Sequence, residues 1–472
     1  MPFAFNSGAG SKIKYLAIPS LLFLASVQAV GQTGAAEFQA RRLKAMEKCA
    51  DGIILLHASS GLKHWDEFGF HQDPNFYYFT GLLNLQAAIL AIDGPSKQSW
   101  LFVPPGPRSP DPDLKGSASP FLTPGSAAEA ELGLEHVKSW DEFIPFLDGL
   151  LKSDPKLPVY VDAGGQTGAM MGTRSNPAEL NPTENHFLLW RSSLKSRWPD
   201  LTIREAYPAL DEIRSVKDRA EIELLRKAAA VTVEGFWAGV RSIAPGRSQR
   251  QVEADVVRGC MEAGSEGPSF WPWVRSGPMA IGSRLFAPFG DYHNLNRTMK
   301  SGDLVRLDLG CDYEAYKGDF GRTIPVSGHF NEGQAETIGL LNGAYLAGLK
   351  MMKEGSGPTQ VIKASIEYVR EHQAELKTDT AKTAAANALS QGNWPIHGLG
   401  LDMADGAPKT FQAGNVICYE PLFTAGDEAF FVEDTMLITR DGYEILNPPL
   451  PYAPEDIEKA MANARKSAGP RN

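Results

Sequence analysis

Four carboxylates fall in strand-like runs in the second half of this 472-residue chain, and three of them, Asp308, Glu420 and Glu433, interrupt apolar stretches. Asp308 sits in "LVRLDLG", among Leu304, Val305, Leu307 and Leu309, and Asp319 follows 11 residues later, past a turn around Tyr313 to Tyr316. Glu420 sits in "NVICYEPLF", and Glu433, 13 residues on, sits in "FFVEDTMLIT". A lone carboxylate in an apolar strand is costly unless it is paired or bound to a cation. Both separations suit hairpins, so each pair can lie side by side. Adjacent carboxylates repel unless a cation lies between them or one holds a proton. His397, in "NWPIHGLGLDMADG", lies just upstream of the second pair and adds an imidazole. Four oxygen donors and one nitrogen suit two hard or borderline divalent ions. A carboxylate-bridged metal pair is a common design for hydrolysis. Asp312, Glu314 and Asp434 read as surface or turn acids.

The elements that must hold these residues read as two regimes. Residues 36–205 form an α/β unit: a helix from Glu37 to Lys48, then strands in "GIILLHA", "AAILAID", "SWLFVPP" and "PVYVDAG". Pro104 to Ser126 is rich in Pro, Gly and Ser and reads as an irregular surface loop. Residues 211–460 change character. Ile222, Leu225, Ala229, Val233, Phe236 and Val240 recur at helical spacing, and Ser248 is a candidate N-cap for a helix ending at Gly264. Helices from Gln334 to Lys353 and Thr359 to Lys377 are followed by strands in "NVICYEPLF" and "VEDTMLITRDGYEIL". Helices packed on one antiparallel sheet give an α+β domain. Residues 461–472 read as a C-terminal tail.

Composition narrows the class. Hydrophobic residues at 43% and charged residues at 22% suit a globular chain. A formal charge of −10 argues against nucleic acid as the main partner. "SKIKYLAIPSLLFLASVQAVGQ" has two lysines, an apolar run and small residues at Ala29 and Gly31. It reads as a secretory signal peptide over residues 1–31, which predicts a periplasmic or secreted protein with no stable membrane insertion after cleavage. Four cysteines are too few for a disulfide framework at this size, and buried apolar roles are favoured. A Cys311–Cys418 bridge stays open.

The motifs resemble those of the pita-bread metallopeptidases, the aminopeptidase P, prolidase and methionine aminopeptidase relatives. "LVRLDLGCDYEAYKGDFGRTIPV", "HGLGLD", "ICYEPLF" and "VEDTMLIT" resemble their metal-ligand motifs in order. "HQDPNFYYFTGLLNLQAAILAID" resembles the signature of the aminopeptidase P amino-terminal domain. The resemblance implies two divalent ions, manganese first with cobalt or zinc as alternatives. Asp308 would bind one, Asp319 and Glu433 would bridge both, and His397 and Glu420 would complete the other. It implies cleavage of an N-terminal Xaa-Pro bond by a hydroxide between the metals, with Glu420 as general base. It also implies a homo-oligomer in which His71 reaches a neighbouring subunit. His293 would contact the substrate carbonyl or oxyanion, and Phe270 and Trp273 would line a pocket for an apolar residue or proline. An Xaa-Pro dipeptidase shares every ligand, and a creatinase-like or non-catalytic protein of this fold is a further alternative. Two departures stand out. Ala404 occupies a position where relatives often have a second histidine, and Phe431 one where they often have an arginine.

Overall fold

The computed structural model describes residues 34–60, 69–106, 121–162, 186–406 and 408–467. The expected signal peptide and most of the loop after Pro104 lie outside them. No helix among the described residues is long and apolar enough to cross a membrane.

The amino-terminal sheet contains β1 (Ile53–His57), β2 (Ile89–Asp93), β3 (Gln98–Val103), β4 (His136–Ser139), β5 (Val159–Val161) and β6 (Ile203–Glu205). Their order is β4-β3-β2-β1-β5-β6. Strands β1, β2 and β3 pair antiparallel, while β4, β5 and β6 join in parallel. The central runs are continuously apolar because both faces are covered. Ile54, Leu56, Leu90 and Ile92 face one core with the helix Ala35–Lys48. Ile53, Leu55, Ile89 and Ala91 face another, against Phe143 and Leu147 of the helix Phe143–Ser153. The first core also takes in Leu399, Leu401 and Leu437 from the second half of the chain.

Charge joins the halves beside this shared core. Asp218 caps the helix Arg219–Ser242: its carboxylate accepts from the Glu221 amide at 3.0 Å, and Glu221 returns the bond to the Asp218 amide at 3.0 Å. Arg41, on the first helix, reaches Asp218 at 2.7 Å and Glu221 at 3.6 Å.

The second sheet is antiparallel along its main path, β11-β12-β14-β10-β8-β7. It uses β7 (Gly267–Ser276), β8 (Leu304–Tyr313), β9 (Tyr316–Lys317), β10 (Phe320–Pro325), β11 (Ile396–Gly398), β12 (Val416–Tyr419), β13 (Leu422–Ala425), β14 (Glu428–Ile438) and β15 (Tyr443–Ile445). Both expected hairpins form: β8 turns at Glu314 and Ala315 toward β10, and β13 turns at Gly426 into β14. Val233, Phe236 and Val240 of the helix Arg219–Ser242 share a core with Leu307, Leu309 and Phe320. The helix Gln249–Glu262 starts at the Ser248 cap, with Ser248 Oγ accepting from the Gln251 amide. The helix Asp379–Gln391, "DTAKTAAANALSQ", has no counterpart in the sequence reading, although its alanines have high helix propensity and Ala381, Ala384, Ala385 and Ala388 are buried. The helix Pro454–Ser467 spans the expected limit at 460, with Ile457 and Met461 in the core.

Cys311 is bonded to Cys260, not to Cys418. Cys260 and Cys311 share the core between the sheet and the helix layer. Cys418 belongs to the other core and stays a free, buried thiol. The two faces of the sheet separate Cys311 from Cys418.

Gly321 lies in the row that links Asp308 to Glu433. A Cβ there would press into the Phe431 ring and would stand 2.8 Å from the Leu307 carbonyl oxygen. Gly321→Ala should therefore destabilise the protein by about 1–3 kcal/mol through overpacking. Urea unfolding of the variant beside wild type checks this, and an unchanged midpoint would contradict the packing described.

Candidate active site

Cross-strand register gathers the acids. Trp273 pairs with Asp308, Asp308 with Gly321, and Gly321 with Glu433. Directly opposed residues in an antiparallel sheet project on one face. Asp308 and Glu433 thus face the same space across a residue without a side chain. Asp319 is two residues before Gly321, at the entry to β10, and shares that face. Glu420 falls at the break between β12 and β13, both of which pair with β14. His397 on β11 is opposite Cys418.

The five predicted residues converge. The Nε2 atom of His397 lies 3.6 Å from Asp319 Oδ2, 3.7 Å from Glu420 Oε1 and 3.8 Å from Glu433 Oε1. Its Nδ1 donates to the Gly398 carbonyl at 3.0 Å, which leaves the Nε2 lone pair aimed at the acids. Two donor groups can be traced. Asp319, His397, Cys418 and Glu433 offer atoms all within 4.8 Å of one another, and so do Asp308, Glu420 and Glu433. Glu433 belongs to both. It is buried, and neither carboxylate oxygen has a hydrogen-bond partner.

Such crowding disfavours the charged forms. Burial pushes the Asp308 and Glu420 carboxyls up, with Arg306 opposing the shift in each. Burial pushes Asp319 and Glu433 well above the ordinary range, and the neighbouring carboxylates add to it. A cation among these oxygens would reverse that balance. The donor set fits two divalent ions: both Glu433 oxygens are buried and unpartnered, the His397 Nε2 lone pair faces the acids, and Glu433 belongs to both donor groups.

Three features lie outside the sequence reading. Arg306, two residues before Asp308 on the same strand face, donates to Asp308 Oδ2 from Nε at 3.1 Å and Nη2 at 2.7 Å. Its Nη2 also reaches Glu420 Oε2 at 3.3 Å. Period-two alternation in "LVRLDLG" is the signal that could have found it. Asp434, read as a surface acid, is instead fully buried and accepts from Arg322, Tyr345, Tyr452 and Asn447. It points away from the ligand face because it directly follows Glu433 on a strand. Asp312 is also buried and holds Lys317 at 2.6 Å.

The acids form one end of a cavity of about 800 Å³. Phe270, Trp271, Trp273 and Phe289 supply an aromatic wall, and His71, Gln72, Asp73 and Asn75 enter from the amino-terminal half. Ala404 lines it too, beside Asp402 and Asp405. Those two acids hold Arg214 at 2.7 and 3.0 Å, and Arg214 donates to Asn75 at 2.7 Å. His293 is not brought to the cluster. It is exposed on the short helix Tyr292–Leu295 and does not line the cavity.

Residues 223–440 match the family model described as Metallopeptidase family M24, and residues 38–160 match Aminopeptidase P, N-terminal domain. The chain is similar to an Xaa-Pro aminopeptidase of Escherichia coli, 27% identical, over 91% of this chain and 98% of the relative. An Xaa-Pro aminopeptidase of Haemophilus influenzae is 25% identical over 90% of this chain and 97% of its own length. Among solved structures, Escherichia coli aminopeptidase P with the inhibitor Pro-Leu superposes with a TM-score of 0.69 at 25% identity. That alignment covers 92% of this chain and 100% of the other.

Asp73 allows a test of the cavity wall. It caps the helix Pro74–Thr80 by accepting from the Phe76 amide at 2.8 Å. Burial, with Asp162 and Asp402 adding to it, pushes its carboxyl up to about 7. A carboxyl raised on folding contributes stability below its unfolded pKa and loses it as pH rises through the folded value. Asp73→Asn keeps the cap without the charge. Its Tm relative to wild type should therefore rise steadily from pH 4 to about 8. A pH-independent difference would show that folding leaves the Asp73 pKa unshifted.

Proposed function

We propose, on the premise that this chain belongs to the pita-bread metallopeptidases and carries the amino-terminal domain of aminopeptidase P, that it is a metal-dependent exopeptidase removing the first residue of a peptide before proline. One observation carries the reading: Glu433, with two unpartnered buried oxygens, is shared by two donor groups at the end of a cavity large enough for a short peptide.

Asp308, Asp319, His397, Glu420 and Glu433 would hold two divalent ions, for which manganese is our first choice and cobalt or zinc the alternatives. Bound there, the ions would supply Lewis acidity toward the scissile carbonyl and a water of lowered pKa. The chain's own residues do the rest. Glu420 has one oxygen toward His397 and the other held by Arg306, so its carboxylate is oriented for proton transfer. It accepts a proton from the attacking water and delivers it to the proline nitrogen as the C–N bond breaks. That nitrogen carries no hydrogen in the substrate, so an external proton is required for it to leave as an amine. Phe270 and Trp273, 6.1 Å apart edge to face, offer an apolar surface to the proline ring or its neighbour. Buried Arg214 and Asp405, with the half-exposed Asp402, form another part of the cavity lining.

The apolar leader at residues 1–31 supports an exported protein, and the Cys260–Cys311 bridge suits an oxidising compartment. Assembly into homo-oligomers is part of the same proposal, with His71 at the cavity rim as the group a neighbouring subunit would meet.

A peptide library digested with added manganese should release first residues from Xaa-Pro-Yaa sequences. Turnover of Xaa-Pro dipeptides alone would establish a dipeptidase instead. Glu420→Gln should lower kcat by about 10²–10⁴-fold, the range of general acid–base catalysis. Asp308→Ala and Glu433→Ala should abolish hydrolysis and reduce bound metal in elemental analysis, and full activity in either would refute the ligand assignment. Mass spectrometry of the exported full-length product should place its new amino terminus near residues 29–31. An intact Met1 on exported protein would exclude cleavage.

A further inference from the structure

Three rings of the cavity wall each carry an arginine on a side that the cavity does not reach. The Arg306 guanidinium stands 5.3 Å from the Trp273 ring centroid, that of Arg275 4.6 Å from Phe289, and that of Arg250 4.5 Å from Trp271. Trp271, Trp273 and Phe289 line the cavity, and none of the three arginines does. Acids hold the arginines in place: Asp308 holds Arg306 at 2.7 Å, and Glu253 holds Arg275 at 2.8 Å and Arg250 at 3.3 Å. Trp271 is tied to the same acid, its Nε1 donating to Glu253 at 2.8 Å, and Trp273 meets Phe289 with centroids 6.3 Å apart. A ring attracts a cation through the negative charge of its face. A ring that already holds a guanidinium on one face has less to offer a second cation, and the two cations repel each other through it. Its attraction for an uncharged ring or alkyl chain is kept.

The register places this wall along a substrate. Trp273 stands opposite Asp308 on β8, at the acid end of the cavity, while Trp271 is 37% exposed and lies toward solvent. An exopeptidase seats the first residue of its substrate at the buried end and lets the remaining chain run outward. The first side chain therefore lies against Trp273 and Phe289. The four carboxylates of that end offer a cationic side chain little once two divalent ions neutralise them. We propose that the arginine-backed wall determines specificity for the first residue of the substrate, admitting uncharged side chains, aromatic ones best, and rejecting lysine and arginine. The proposal rests on the exopeptidase reading above.

The test compares kcat/KM of manganese-loaded full-length protein on three tripeptides, Xaa-Pro-Ala, in which Xaa is phenylalanine, norleucine or lysine. Norleucine has the lysine stem without the charge. The value should fall about threefold from phenylalanine to norleucine, the worth of one aromatic pair. It should fall about tenfold or more from norleucine to lysine, whose ammonium finds no partner against the wall. Lysine equal to or better than norleucine overturns the proposal. Phe289→Leu removes one ring and should lower the phenylalanine value about threefold more than the norleucine value, while Phe289→Tyr should keep the wild-type ratio. Equal losses on all three peptides would mark Phe289 as a support of the fold and count against the proposal. Arg275→Met leaves Glu253 with Arg250 and Trp271, and it should narrow the gap between norleucine and lysine by about threefold. An unchanged gap would show that the arginines do not set the charge preference. Wild-type protein that cleaves none of the peptides would refute the functional reading alone. Calorimetry of the same three peptides then decides the role of the wall: phenylalanine should bind tightest and lysine weakest, and any other order overturns the proposal.

Discussion

Mutual repulsion among Asp308, Asp319, Glu420 and Glu433 is the constraint around which the second half of the molecule is arranged. Four carboxylates cannot share a space of this size as anions without compensation. Bulk solvent supplies little of it, since Asp308, Asp319 and Glu433 are buried. Arg306 provides partial compensation with a full charge, while the His397 lone pair aimed at the acids provides none. The remaining deficit is what gives the site its affinity for cations. A domain that folds around such a deficit needs a rigid frame, and an antiparallel sheet backed by the helix Arg219–Ser242 supplies one.

The sheet's geometry turns sequence spacing into coordination. Residues far apart in the chain, from Trp273 to Glu433, stand in one cross-strand row because each strand is in register with the next. Gly321 sits in the middle of that row, where any side chain would fill the space between the acids and strike Phe431. Alternation then decides which acids belong to the site. Glu433 faces the cavity, while Asp434, one residue on, faces the other side and is consumed by Arg322 and two tyrosines. Two neighbouring carboxylates thereby have unrelated roles, one chemical and one structural.

The amino-terminal half does more than accompany this site. Its cap residue Asp73 and its Asn75 form part of the cavity wall, and Asn75 is tied to Arg214 and through it to Asp402 and Asp405 beside Ala404. Where relatives often carry a second histidine, this chain has a methyl group near an arginine held by two carboxylates. The polar character of that wall is therefore supplied by the Arg214 cluster. Arg306 and Phe431 make a parallel exchange at the metal end, with the positive charge on β8 and the aromatic ring on β14.

Much of this was legible in the chain itself. Asp308, Glu420 and Glu433 each break an apolar run, and hairpin spacing pairs Asp308 with Asp319 and Glu420 with Glu433. Both signals are local, and local signals survive without a structure. The same holds for the Ser248 cap and for β1, β2, β3 and β5 of the first sheet, whereas the short β4 and β6 carried no such signal. Contacts between distant segments were not legible. Asp434 looked like Glu433's exposed neighbour because a period-two pattern tells that two residues face opposite ways, not that both faces are buried. Cys311 could have paired with Cys260 or Cys418 on spacing alone, and only the layer in which each lies selects Cys260. His293 had a suitable residue type but is exposed, away from the cavity. The sequence by itself determined the four clustered acids and the two hairpins that carry them, because buried charge in a strand has few physical outcomes. Tertiary structure alone decided that Arg306 splits two carboxylates, that Glu433 is shared, and that Asp73 and Asn75 wall the cavity, because those contacts join strands and halves of the chain whose separation carries no periodic signal.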